Sequence, residues 1–359
     1  MPRILASLSQ FFEPIYPTLV NVLMKEPTLL SIVPTPQSSP ARAAFLRTRD
    51  YLSAQIIGQG ALVEGLLIAL LADGHLLVEG PPGLAKTRAI KALARALECD
   101  FHRTQFTPDM LPADLTGSDI YRPEQGIFQF QRGPLFHNLI LADEINRAPA
   151  KVQSALLEAM GERQISVGQA TYPLPPLFLV MATQNPIEQE GTYPLPEAQI
   201  DRFMLHLAVD YPDRATTLKI MHLARDEAMS QLELAPPTER LTQAQVFSAR
   251  SEALRLHLAD PVAEYIAALV DATRRPEAYS PDLKQWLRWG VSPRAAIAME
   301  RGARAVAWLD GRDYVSPDDV QTVAGDALRH RLLLDYGAQA RGITAQACVD
   351  ELLRKVPAP

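Results

Sequence analysis

Two hydrophobic patterns divide this chain. Over about the first 210 positions, short apolar runs alternate with segments whose apolar residues recur near every 3.6 positions. His75–Glu79, Leu139–Glu144 and Leu177–Pro186 are apolar runs that end in polar residues. Runs of this kind belong inside a parallel sheet, where both faces of a strand are covered. Asp100–Phe106 is a further strand candidate. Helical spacing covers Ala43–Leu52, Gly60–Leu70, Arg88–Leu97 and Ala150–Met160. Gly126–Gly133 alternates apolar and polar residues between glycines and reads as half of a hairpin. Gln164–Val167 and Thr171-Tyr172 flank Gly168-Gln169 as a second hairpin. Thr107–Gly117 reads as a loop with a short helical turn.

After Tyr211-Pro212 the strand-like runs stop. Helices are predicted over Ala215–Met229, Gln243–Ala259, Ala263–Arg274, Pro281–Trp289, Pro293–Trp308, Pro317–Arg331 and Ala345–Val356. Three of them open with Ser-Pro, an N-cap followed by proline in the first turn. The expected organisation is therefore an extension or linker over residues 1–41, an α/β core over 42–210 and an α-helical domain over 211–359. The fold class is α/β, three layers about a parallel sheet. In the first 41 residues Glu13, Lys25, Glu26 and several prolines interrupt the apolar cluster, so no run there suits a membrane span. Pro34–Pro40 reads as the linker.

One stretch brings chemistry to this pattern. Gly80-Pro81-Pro82-Gly83-Leu84-Ala85-Lys86-Thr87 joins the first strand to the Arg88–Leu97 helix. Strand, Gly-rich turn, Lys-Thr and helix is the layout of a phosphate-binding loop. Backbone N–H groups converge on an anion there, Lys86 adds a cation for the β- and γ-phosphates, and Thr87 offers a hydroxyl to Mg²⁺. The general pattern has Gly where this chain has Ala85. Leu139–Ala142 then delivers Asp143 and Glu144 to the ligand edge of the sheet. Asp143 suits Mg²⁺ held through water and Glu144 suits polarising the attacking water; a capping Asp and a solvated Glu are the plainer alternative. Asn185 ends the next apolar run, where it either orients water or forms an Asn-Pro turn. Arg294 lies in the first turn of a helix, where a cation opposes the macrodipole by roughly 0.3–1 kcal/mol. A phosphate clamped between the two domains accounts for it, as does a nearby carboxylate such as Glu300.

Composition narrows the remaining choices. The net charge is −6 and there is no long basic run, so nucleic acid is not the expected partner. Cys99 and Cys348 stand far apart and read as reduced thiols of a cytoplasmic protein. The seven histidines show no metal-ligand spacing.

Taken together, the loop 80–87, Asp143-Glu144, Asn185, Glu197–Phe203 and Ser292–Ala295 resemble an AAA+ ATPase, and specifically the MoxR family. Gly83–Thr87, Leu141–Pro149, Ala182–Pro186 and Tyr193–Phe203 are similar to that family's signature stretches, and the likeness runs from about 42 to 357. Alanine at position 85 is usual in that family. The resemblance implies an AAA+ core followed by a helical lid. It implies Walker A at Gly80, Pro81, Pro82, Gly83, Leu84, Ala85, Lys86 and Thr87, continuing into Arg88. It implies Walker B at Asp143 and Glu144, sensor 1 at Asn185 and sensor 2 at Arg294. Arg202 matches the arginine finger that reaches a neighbour's γ-phosphate, and Ile57 and Gly58 match the stretch near the adenine. ATP and Mg²⁺ follow as cofactors, with Thr87 and Asp143 toward the metal. So does a homo-oligomeric ring, expected to be a hexamer, with hairpins at 126–133 and 164–173 facing its pore. Phe128 and Phe130 would then touch a substrate chain or else pack the hairpins. Implied partners are a protein client and a protein with a von Willebrand factor A domain, with no membrane insertion. Remodelling, maturation or metal-cofactor insertion is the expected activity. The competing readings are a nucleotide switch with little turnover and a nucleic-acid motor.

Overall fold

The computed structural model describes residues 39–186, 191–230 and 237–359. The expectations for residues 1–38 lie outside them. Chain order gives α1 Pro40–Gln55, α2 Gly60–Leu71, β1 Leu76–Glu79, α3 Lys86–Ala96, β2 Phe101–Gln105 and α4 Pro112–Thr116. Next come hairpin strands β3 Gly117–Arg122 and β4 Ile127–Arg132, then β5 Leu139–Asp143 and α5 Ala150–Glu162. A second hairpin, β6 Gln164–Val167 with β7 Ala170–Pro173, precedes β8 Leu179–Gln184, α6 Glu197–Ile200 and β9 Leu205–Ala208.

Strands β2, β5, β8, β1 and β9 form one parallel sheet in that order. Their short apolar sequences follow from burial on both faces. Leu76 and Val78 face one side and Leu77 the other, the alternation that a strand imposes. On the first side the sheet packs against α1, α2 and α3 through Phe45, Leu52, Leu66 and Leu93. On the second side Ile140, Val180 and Phe203 pack against Leu156 and Leu157 of α5.

The remainder is mostly helical: α7 Arg214–Ser230, α8 Gln243–Leu254, α9 Asp260–Arg274, α10 Pro281–Trp286, α11 Pro293–Leu309, α12 Pro317–Leu328, α13 Tyr336–Ala340 and α14 Ala345–Lys355. Ser280, Ser292 and Ser316 are the N-caps of α10, α11 and α12, as the Ser-Pro pairs predict. Strands do not vanish here: β10 Leu287–Trp289 and β11 Leu333–Leu334 form a small antiparallel sheet. β10 takes the last turn of the helix expected to run to Trp289. Ser39 and Pro40, expected in the linker, instead form the cap and first turn of α1.

The helices after α7 do not build a core of their own. Leu269, Trp308, Val320 and Leu352 belong to the same buried cluster as α1, α2 and one face of the sheet. Phe45 and Trp308 meet edge to face at 5.3 Å. Cys99 and Cys348 are free, and burial pushes their thiols up to about 12 and about 11. No described helix is long and apolar enough to cross a membrane.

Candidate active site

The loop after β1 wraps the N-terminus of α3 at the C-terminal edge of the sheet. Gly80 has no room for a side chain, since a Cβ would come within 2.4 Å of the Val209 carbonyl oxygen. Ala85 takes the left-handed conformation (φ 57°), the geometry that glycine supplies in the general loop pattern. Lys86 Nζ donates to the carbonyls of Gly80 at 2.5 Å and Gln184 at 3.3 Å. Burial holds its pKa below the usual lysine value, and the nearby Asp143, Glu144 and Glu79 oppose that fall. A desolvated ammonium on an anion-seeking loop is a phosphate ligand in waiting.

Pro82–Arg88, Asp143, Glu144 and Asn185 line one cleft of about 400 Å³. The topology explains this meeting: β1, β5 and β8 are adjacent and parallel, so the residues at their ends share one edge. Asp143 accepts a hydrogen bond from the Thr183 hydroxyl at 2.6 Å and pairs with Arg103 at 2.7 Å. Glu144, also left-handed at φ 57°, accepts from Gln105 Nε2 at 2.7 Å and lies 2.8 Å from Arg147 Nε. Its own amide donates to Thr183 Oγ1 at 2.9 Å. Thr87 and Asp143 offer a cation few but hard oxygen donors. That suits Mg²⁺, which keeps phosphate oxygens and water in its shell.

Arg103, Gln105 and Thr183 escape the sequence reading. Register supplies the missing signal, because β2 places Gln105 opposite Asp143. Polar residues at the end of a strand beside two carboxylates had only that strand's position to give them meaning.

A second cleft, of about 420 Å³, adjoins the first. Ile57, Leu84, Pro212, Ile220 and Leu223 give it an apolar lining. Gly58, at φ 82°, must lack a side chain because a Cβ would meet the Thr216 methyl at 2.2 Å. Arg88 borders both clefts, yet its guanidinium is engaged by Gln55 and Glu227 rather than directed into the phosphate loop.

Arg202 and Arg294 lie elsewhere. Arg202 stands three residues before β9, whose first residue pairs with the first residue of β1. It is therefore at the opposite edge of the sheet from the phosphate loop, and a four-residue strand spans about 13 Å. There Arg202 Nη1 donates to the Leu157 carbonyl at 2.7 Å. Arg294 lies 3.8 Å from Asp201 and is 54% exposed. The clamp on a phosphate between the chain's own two domains, expected of Arg294, is thus not formed. Its carboxylate partner is Asp201, not Glu300, because α11 is capped against α6: Ser292 Oγ donates to Asp201 at 2.8 Å. Arg202, Arg294 and Arg301 line one pocket at that edge.

The chain is similar to known proteins in sequence and in structure. Residues 75–205 match the ATPase family associated with various cellular activities (AAA), and residues 283–352 match an AAA lid domain. The chain is 45% identical to Chaperone MoxR1 of Mycobacterium tuberculosis, over 85% of this chain and 79% of that protein. It is 30% identical to Protein MoxR of Paracoccus denitrificans, over 88% and 97%. A crystal structure of a putative ATPase from Cytophaga hutchinsonii is similar at 44% identity and a TM-score of 0.81, covering 89% of this chain and 96% of that one.

Proposed function

Because this chain belongs to the MoxR family of AAA ATPases, we propose that its ATP hydrolysis drives remodelling or maturation of a protein client from within a homo-oligomeric ring. A single observation carries the ring: Arg202 and Arg294 sit at the edge of the sheet remote from their own phosphate loop. A cluster of arginines that cannot reach its own nucleotide suits a neighbour's. Six subunits, a client held at the pore and a von Willebrand factor A domain partner are the finer parts of this reading. The relative named a chaperone supports a protein client. So does the exposed aromatic tip of the first hairpin, where Phe128 is 70% exposed beside Tyr121.

In this mechanism the loop amides and Lys86 hold the β- and γ-phosphates. Thr87 and Asp143 would hold Mg²⁺, which would supply charge neutralisation for the phosphates. Thr183 and Arg103 fix the Asp143 carboxylate. Glu144, once released from Gln105 and Arg147, orients water in line with the γ-phosphorus and takes up its proton, with Asn185 beside it. The bond to the β,γ-bridging oxygen breaks, giving ADP and phosphate. Arg202 and Arg294 of the adjacent subunit stabilise the transferring group.

Mixing two inactive variants tests the reading. Arg202→Ala and Glu144→Gln should each lose ATPase activity, by about 10³-fold or more for the arginine. Mixed, they should regain turnover, because some interfaces then pair an intact Glu144 with an intact Arg202. Specific activity of the wild type should also rise with protein concentration. Silent mixtures, or an Arg202→Ala protein as active as wild type, would remove the shared site.

A further inference from the structure

Helix α7 is unusual for its length: among its described residues none is buried. Only Thr216, Leu223 and Glu227 are partly covered, and their spacings of seven and four place them on one stripe. That stripe lies over the apolar cleft beside the phosphate loop. Thr216 packs on Gly58 at one end, and Leu223 lines the cleft with Ile220 and Ala224 in the middle. Glu227 reaches Arg88 at the other end. Arg88 Nη1 donates to Glu227 Oε2 at 2.9 Å and Nη2 to Glu227 Oε1, a two-pronged pair. The same guanidinium donates from Nε to the Gln55 carbonyl at 2.7 Å and from Nη2 to Gln55 Oε1 at 3.2 Å. One side chain, adjacent to Thr87 of the phosphate loop, thus ties the end of α1 to α7.

A helix none of whose described side chains is buried has little apolar energy to hold it down. The ion pair therefore carries an unusual share of its attachment. We propose that Glu227 is a positioning residue that clasps α7 over the nucleotide base, so that breaking its pair with Arg88 sets the rate at which nucleotide leaves. This rests on the ATPase reading above. Glu227 touches neither phosphate nor water in it, so the step that breaks the β,γ-bond is untouched. Retention of the base, and with it product release, is what Glu227 governs.

The test is displacement of a fluorescent N-methylanthraniloyl ADP from the full-length protein by excess ADP in stopped flow. Glu227→Gln keeps the shape and removes the charge. Its release rate should rise roughly five- to tenfold, the loss of one charge-assisted bidentate contact. Single-turnover hydrolysis of prebound ATP should stay within about twofold of wild type. Added salt should speed release from wild type and have little effect on the variant. Glu227→Asp, which retains the charge, should fall between the two. Wild-type release rates in Glu227→Gln, or an equal loss in the single-turnover rate, would overturn the clasp. Failure of the wild type to bind the labelled ADP would instead overturn the nucleotide site itself.

Discussion

At the scale of single residues, His75 links the site's scaffold to pH. It is buried at the start of β1, where its Nδ1 accepts from the Val180 amide at 3.1 Å and its Nε2 faces the Met160 carbonyl at 3.4 Å. Those partners fix the neutral Nε2–H form, since a proton on Nδ1 would point at an N–H donor. Burial pushes the pKa down to about 4. The unfolded chain titrates near 6.5, so unfolding takes up a proton between the two values. The contribution to stability is present above about pH 6.5 and is lost as pH falls toward 4. At 1.36 kcal/mol per unit it amounts to about 3 kcal/mol. Urea unfolding from pH 7 to 4 should show this loss in wild type, and His75→Gln should flatten the slope. The residues proposed to bear the chemistry were the most legible part of the sequence. Lys86 and Thr87 close a Gly-Pro turn between a strand and a helix, Asp143, Glu144 and Asn185 follow apolar runs, and the structure gathers all five in one cleft. Arg103 and Thr183 were not legible, because their meaning comes from Asp143, about 40 positions away from each, which only strand register brings close.

At the scale of elements, the two hairpins sort two aromatic residues that alternation alone leaves equivalent. Phe130 stacks on Tyr172 of the second hairpin with ring centres 4.2 Å apart, and meets Phe136 edge to face at 5.8 Å. Phe128 projects at the tip. Phe130→Ala should therefore lower stability by about 1–3 kcal/mol, partly burial and partly ring contact. Phe128→Ala should leave the unfolding free energy within about 0.5 kcal/mol, as a surface change does. Parallel chemical denaturation curves would decide. Strands β1, β5 and β8 were readable because a strand covered on both faces is apolar throughout. The edge strand β9 was not singled out, since buried His206 interrupts its pattern to meet Glu79 at 2.9 Å. The small sheet of β10 and β11 is too short to carry any period.

At the scale of the whole molecule, Arg331 joins the helical region to the sheet. Its side chain is 3% exposed. It pairs with Asp201 at 2.7 Å and donates to the carbonyls of Asp201, Phe203, Met204 and Ala327. Removing one partner of a buried pair costs roughly 3–5 kcal/mol, because the other charge is stranded. Arg331→Met should accordingly lower the unfolding free energy by about 3 kcal/mol in urea titration. It should also depress ATPase activity, because Asp201 adjoins Arg202. That the chain has an α/β core and a helical remainder was legible from the change in period after residue 212. That both halves would share one apolar core was not, since periodicity shows which face of a helix is apolar but not what covers it.

The way Arg331 is held has a mechanical consequence. Five donors satisfied at once cannot be stretched by degrees: the contact is whole or it is lost. The sheet edge bearing Arg202 is thus welded to the end of α12, while Ser292 ties the helix bearing Arg294 to the same Asp201, so a push on one is a push on both. In the proposed ring each subunit would then turn as a stiff crank rather than close as a jaw, and the compliant joints would fall at the seams between subunits.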